Sequence, residues 1–224
     1  MCGRFTLVHD IQSIAKTFNA AVPASTQIVP HYNIAPTQNI LTVMHEESNE
    51  QSHLDLLRWG LIPSWAKEES IGSRMINARA ETLAEKASFK RLLNTRRCLI
   101  VADGFYEWMQ EPGSKAKTPM YIRLKDDEPF AFAGLWDSWK NSAGEQIRTC
   151  TIITTEPNEL MARIHNRMPV ILSPQAREEW LDPTNHDVPL LSHLLGSYPT
   201  DEMVARPVSR LVNDPKHDGA ELIA

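Results

Sequence analysis

Between residues 98 and 155 the chain repeats one pattern four times: a short run of β-branched, aromatic or other apolar residues closed off by turn-forming ones. The runs are 98–108, 119–124, 130–136 and 149–155. Such short strands cannot satisfy their own backbone groups, and runs that follow one another across brief turns pair in antiparallel order. Residues 40–44 and 54–59 repeat the pattern across the polar segment 45–53, which is hairpin grammar. Residues 168–172 read as a last core strand. Helical spacing of apolar groups marks 11–18, with Asp10 as its cap, while 77–82 lead into a helix through Leu93. Further helices are expected at 156–164, entering through Pro157, and at 174–181 and 188–195. The proline-rich stretch 22–37 reads as loop. Strand runs with helices at the flanks predict an α+β fold. We expect one domain over residues 1–224, built on a mainly antiparallel, bent or barrel-like sheet flanked by helices.

Composition narrows the function. The chain has 224 residues, 42% of them hydrophobic and 23% charged, which suits a globular domain with its own core. Apolar runs such as 98–102 are far too short to span a bilayer, and no basic segment followed by an apolar one opens the chain. A cytoplasmic protein is expected, nucleoid-associated when on DNA, with no membrane partner. Three cysteines, Cys2, Cys98 and Cys150, without C-x-x-C spacing argue against a disulfide framework and against a structural metal site. No cofactor is implied, and we expect a monomer. The net charge of -5 excludes a generally basic nucleic-acid coat, yet 14 of the 23 cationic residues are arginine, leaving room for a focused phosphate site.

Cys2 carries unusual chemistry once Met1 is gone. An N-terminal cysteine bears an amine and a thiol on adjacent carbons, with ordinary pKa values of about 7.7–8 and about 8.5. Such a pair can attack an amide through sulfur, or condense with an aldehyde through nitrogen and close a thiazolidine ring through sulfur. Three other places could assist. Glu107 lies among aromatics in Phe105-Tyr106-Glu107-Trp108, sharing a strand face with Phe105, where desolvation would favour its protonated form; it could equally be a strand-edge carboxylate bonded to backbone. His165 is bracketed by Arg163 and Arg167, whose planar forks suit phosphate, or it is structural. Asn77 could orient the Cys2 amine or cap a helix, with Arg79 projecting from the same side. Trp65, Pro36 and Asn33 would form an apolar wedge for stacking bases if their loops adjoin.

Taken together, Met1-Cys2-Gly3-Arg4, Tyr32-Asn33-Ile34-Ala35-Pro36, Trp59-Gly60-Leu61-Ile62-Pro63-Ser64-Trp65, Asn77-Ala78-Arg79-Ala80-Glu81-Thr82, the run from Arg97 to Trp108, and His165-Asn166-Arg167-Met168-Pro169 resemble the SOS response-associated peptidase (SRAP) family, over nearly the whole chain. The resemblance implies a protein that shields abasic sites in single-stranded DNA by a covalent, reversible thiazolidine crosslink through Cys2. Met1 would be removed, by the protein itself or by an aminopeptidase. Asn77 would position Cys2, Glu107 would move protons, and His165 would assist imine formation. Arg4, Arg79 and Arg167 would contact phosphate, with Asn33, Pro36 and Trp65 near the displaced bases. Strand cleavage as an imine-dependent lyase is also implied. Two other readings stand beside this one: an amide hydrolase or amidotransferase with an N-terminal cysteine nucleophile, and a non-covalent single-stranded DNA binder.

Overall fold

The computed structural model describes residues 2–24, 26–46, 51–111, 113 and 116–224. In chain order its strands are β1 (Arg4–Leu7), β2 (His31–Ile34), β3 (Asn39–Met44), β4 (His53–Trp59), β5 (Asn77–Arg79), β6 (Arg97–Ala102), β7 (Gly104–Gln110), β8 (Lys117–Leu124), β9 (Phe130–Lys140), β10 (Gln146–Thr155), β11 (Met168–Pro169) and β12 (Met203–Pro207). The α-helices are α1 (Ile11–Thr17), α2 (Ala87–Thr95), α3 (Glu159–Ala162), α4 (Pro174–Leu181) and α5 (Val188–His193).

Five strands close on themselves. The order β10-β4-β3-β6-β9 returns to β10 through the β9–β10 ladder, so a barrel is completed. A second sheet runs β12-β8-β7-β1-β2. Pairing is antiparallel except where β10 runs parallel to β4 and to β5. The barrel-like antiparallel α+β fold expected from the strand grammar is therefore present, and closure hides edges that would otherwise stay unpaired.

The run 98–108, read from sequence as one strand, is two. β6 belongs to the barrel and β7 to the second sheet, with the chain turning at Asp103. That carboxylate holds the corner: Oδ1 accepts from the Thr6 hydroxyl at 2.5 Å, and Oδ2 accepts from the N–H groups of Val8 at 2.5 Å and His9 at 3.3 Å. A buried carboxylate with this many donors is satisfied rather than stranded. The sheets lock through aromatic rings, since Phe5 of β1 meets Trp59 at 5.2 Å and Phe132 at 5.9 Å, and Phe105 of β7 meets Phe132 at 5.9 Å.

Helix boundaries follow their caps. Asp10 accepts from the N–H groups of Gln12 and Ser13, as expected, and α4 spans the predicted 174–181 with Ser173 as cap. The helix expected through Leu93 is shorter, because 77–79 join β10 as a strand and 80–82 form a 3-10 turn before α2 begins. Helix α3 is a single turn rather than the full 156–164. Two strands lie outside the expected runs: β2, in the stretch expected as loop, and β12, which pairs β8. Among the described residues no helix is long and apolar enough to cross a membrane.

Candidate active site

Strand β1 leads back to Cys2. Its antiparallel register with β7, Arg4 opposite Tyr106 and Phe5 opposite Phe105, runs the residues before Arg4 alongside those after Tyr106, so Cys2 and Glu107 approach. Both are buried, with 0% and 2% of their surface exposed. The Cys2 thiol lies 4.0 Å from the Arg4 carbonyl oxygen. Burial pushes the thiol well above its ordinary range, the Glu107 charge adds to the push, and the Arg4 contact opposes it. The thiol is accordingly protonated around neutral pH, and a carboxylate sits close enough to feel its ionisation.

Asn77 closes this group. Its Nδ2 donates to the Cys2 carbonyl oxygen at 2.8 Å, and its Oδ1 is buried with no hydrogen-bond partner among the described residues. An orphaned amide oxygen beside a cysteine is a waiting acceptor for an N–H or O–H. Asn77 is delivered by β5, which pairs Ile152 of β10 in parallel, and is thus a strand residue and not a helix cap. The expected alternation in β7 is also seen: Phe105 joins the main core, while Tyr106 and Trp108 join a separate cluster with Tyr121, Val212 and Leu222.

The end of β10 gathers the remaining residues. Thr154 pairs Arg79 of β5 on one side and Pro169 of β11 on the other, so Asn77 and Arg79 face the turn carrying His165 and Arg167 across one strand. His165 is half-buried, and its Nδ1 accepts from the Arg167 N–H at 3.0 Å. Arg167 is committed to protein acceptors, with bonds to both Glu81 oxygens at 2.7 and 2.9 Å and to the Thr154 carbonyl oxygen at 2.6 Å.

Arg4 and Asn33 are likewise engaged. Arg4 donates to Asn33 Oδ1 and the Val212 carbonyl, both at 2.8 Å, and to the Asn213 carbonyl at 3.2 Å. Asn33 is buried, and its Nδ2 donates to the carbonyls of Val212, Asp214 and His217. Together they strap the segment 212–217 onto the second sheet. Arg74, Arg79 and Arg163 differ, being exposed without a side-chain hydrogen bond or ion pair among the described residues. Trp65 is 62% exposed, and half-buried Pro36 lies in a turn tied to β4 by the Thr37 N–H to the Trp59 carbonyl at 2.8 Å. Met1 lies outside the described residues.

The loop bearing Trp65 is tied down by side-chain hydrogen bonds. The Ser64 N–H donates to Asp137 Oδ2 at 2.9 Å, Arg91 bonds both Asp137 oxygens at 3.0 Å, and Trp139 Nε1 donates to the Ala66 carbonyl at 2.7 Å. Sequence reasoning missed Asp137 and Glu81 as supporting residues. A lone acid inside the apolar run Phe130–Lys140 was a readable sign of a buried carboxylate with partners; Glu81 carried no sign beyond its place after Arg79.

The chain as a whole is similar to known proteins. A model of the family described as SOS response associated peptidase (SRAP) matches residues 1–215. Abasic site processing protein YoqW of Bacillus subtilis is 53% identical over 226 residues, covering 100% of this chain and 99% of its own. Abasic site processing protein YedK of Escherichia coli is 32% identical with 100% and 99% covered. Abasic site processing protein HMCES of Gallus gallus is 33% identical over 87% of this chain and 66% of its own. A crystal structure of a protein from Bacteroides thetaiotaomicron superposes with a TM-score of 0.88 at 26% identity, covering 99% of this chain and 98% of that one.

Proposed function

Since this chain belongs to the SOS response associated peptidase (SRAP) family, we propose that it processes abasic sites in DNA, capturing the ring-opened sugar of a single strand through Cys2. The observation that carries this reading is the grouping of a buried Cys2, an Asn77 that holds its backbone, and a buried Glu107. Removal of Met1, by the protein's own cysteine chemistry or by an aminopeptidase, frees the Cys2 amine. The amine adds to C1′ of the sugar aldehyde, and loss of water leaves an imine. The thiol then adds to C1′, its proton passing to the ring nitrogen, and a thiazolidine results. Because the thiol is held protonated, sulfur needs an acceptor for its proton as it attacks, and the charge of Glu107 felt by the thiol supports Glu107 as the group that takes and returns it.

The Asn77 Oδ1 atom, buried and unpartnered, suits the amine or the carbinolamine hydroxyl. Of the expected phosphate contacts, Arg79 keeps its whole guanidinium available, and Arg4 and Arg167 can offer only the N–H groups their protein partners leave. Trp65 on its pinned loop offers a face for a displaced base. Lyase cleavage follows from the same intermediate, because an imine at C1′ acidifies C2′ and permits β-elimination.

Denaturing electrophoresis of the des-Met1 protein with a single-stranded oligonucleotide holding one abasic site, beside intact and duplex controls, tests the proposal. A slow band that needs the abasic site and disappears in Cys2→Ala is expected. Its absence with Cys2 verifiably exposed, combined with glutamine hydrolysis that needs Cys2, would favour the amide-hydrolysing alternative instead.

A further inference from the structure

The turn from α3 to β11 dictates which nitrogen of His165 bears hydrogen. A backbone N–H can only donate, so the 3.0 Å contact from Arg167 makes Nδ1 an acceptor and leaves the proton of the neutral ring on Nε2. Hydrogen on Nδ1 would collide with that N–H and would have to redirect to the Arg167 carbonyl oxygen, 3.2 Å away. Residue 167 has little freedom to adjust. Its guanidinium grips both oxygens of Glu81 and the Thr154 carbonyl, while β11 is two residues long and a weak anchor by itself. The hydrogen bond from Arg167 holds the Glu81 carboxyl below its ordinary range, so the pair stays charged through neutral pH.

We propose that the Glu81–Arg167 ion pair is a positioning device that fixes His165 as the neutral, Nε2-protonated imidazole. In that state His165 donates a hydrogen bond to a sugar oxygen and does not act as a base, and the proton transfers fall to Glu107. A neutral imidazole N–H is a very weak acid, but it polarises an oxygen without first having to gain a proton. The identity of the acceptor oxygen rests on the abasic-site reading; the tautomer does not.

Nitrogen-15 NMR of the imidazole in the free, full-length protein is the first test. The expected pattern around neutral pH is a protonated Nε2 and a bare Nδ1, moving toward a tautomer average in Glu81→Ala and in Arg167→Lys. A wild-type ring protonated on Nδ1, or a pattern unchanged in both variants, would overturn the proposal. The second test compares crosslinking by His165→Gln, which keeps an N–H donor but takes up no proton, with His165→Leu. The glutamine variant is expected within about tenfold of wild type and the leucine variant about 100-fold below it; equal losses would remove the donor role. Should the wild-type protein capture no abasic DNA, the functional reading falls, and the ring spectrum still decides the tautomer.

Discussion

At the scale of single residues, the defining property of Cys2 is that it is both buried and protonated. A low-pKa thiolate reacts with many electrophiles, whereas a buried thiol held above its ordinary range stays quiet until an activated carbon is bound beside it. In the proposed mechanism Glu107 has opposed effects: its charge discourages the thiolate, and its carboxylate would offer the proton an exit. Glu107→Gln removes both. We expect its crosslinking rate at neutral pH to fall about 100-fold and to recover as pH rises, because without the neighbouring charge Cys2 ionises more readily. A rate loss that is the same at all pH values, read from single-turnover gels, would contradict the proton-acceptor role. The Met1-Cys2-Gly3-Arg4 motif was plain in the sequence. The states of its groups were not, since a pKa depends on burial and on charges brought in from other strands.

At the scale of elements, the helix ends depend on one buried cation. Arg97, at the start of β6, donates to the carbonyls of Leu93 and Asn94 in the last turn of α2, of Trp180 in the last turn of α4, and of Asp182 and Asn185 beyond it. It is 6% exposed; the carbonyls of two helix C-termini supply negative potential around it, and the nearby Asp182 charge adds to it. Removing it would leave several buried carbonyls without donors. Arg97→Ala is expected to cost about 3 kcal/mol or more, measured by urea denaturation, while the folded fraction keeps the proposed abasic-site capture. Gly60 has a comparable structural role in the Trp65 loop. Its φ of 123° is in the region side chains avoid, and an added Cβ would come within 2.8 Å of the Gly72 carbonyl oxygen. In the sequence Arg97 stands just before the apolar run 98–108, and nothing local revealed the two helix ends that converge on it.

At the scale of the whole molecule, the closed barrel buries groups that ionise in alkali. Burial pushes Cys2, Cys98 and Cys150 well above the ordinary thiol value of 9.0, and Tyr121 from 10.0 up to about 12. Each binds its proton more tightly in the folded chain than in the unfolded one. Stability from these groups is therefore complete below the ordinary values and drains away as pH rises through 9.0 and 10.0 toward the folded ones. The urea midpoint should hold steady through neutral pH, then fall above about 9, and fall less steeply in a Cys98→Ala, Cys150→Ala double variant. A midpoint flat into strong alkali would show that these groups ionise while folded. The sequence by itself determined the strand grammar, the antiparallel α+β class, the cap of α1, the span of α4 and the motif residues, because these follow from local periodicity and side-chain chemistry. Only the tertiary structure decided that the run 98–108 breaks at Asp103 into two sheets, that the barrel closes through β9 and β10, and that Arg4 and Arg167 are held by protein acceptors while Arg79 is left open. Those outcomes turn on which distant backbone and side-chain groups meet to satisfy one another, and such pairings leave no mark on the residues beside them in the chain.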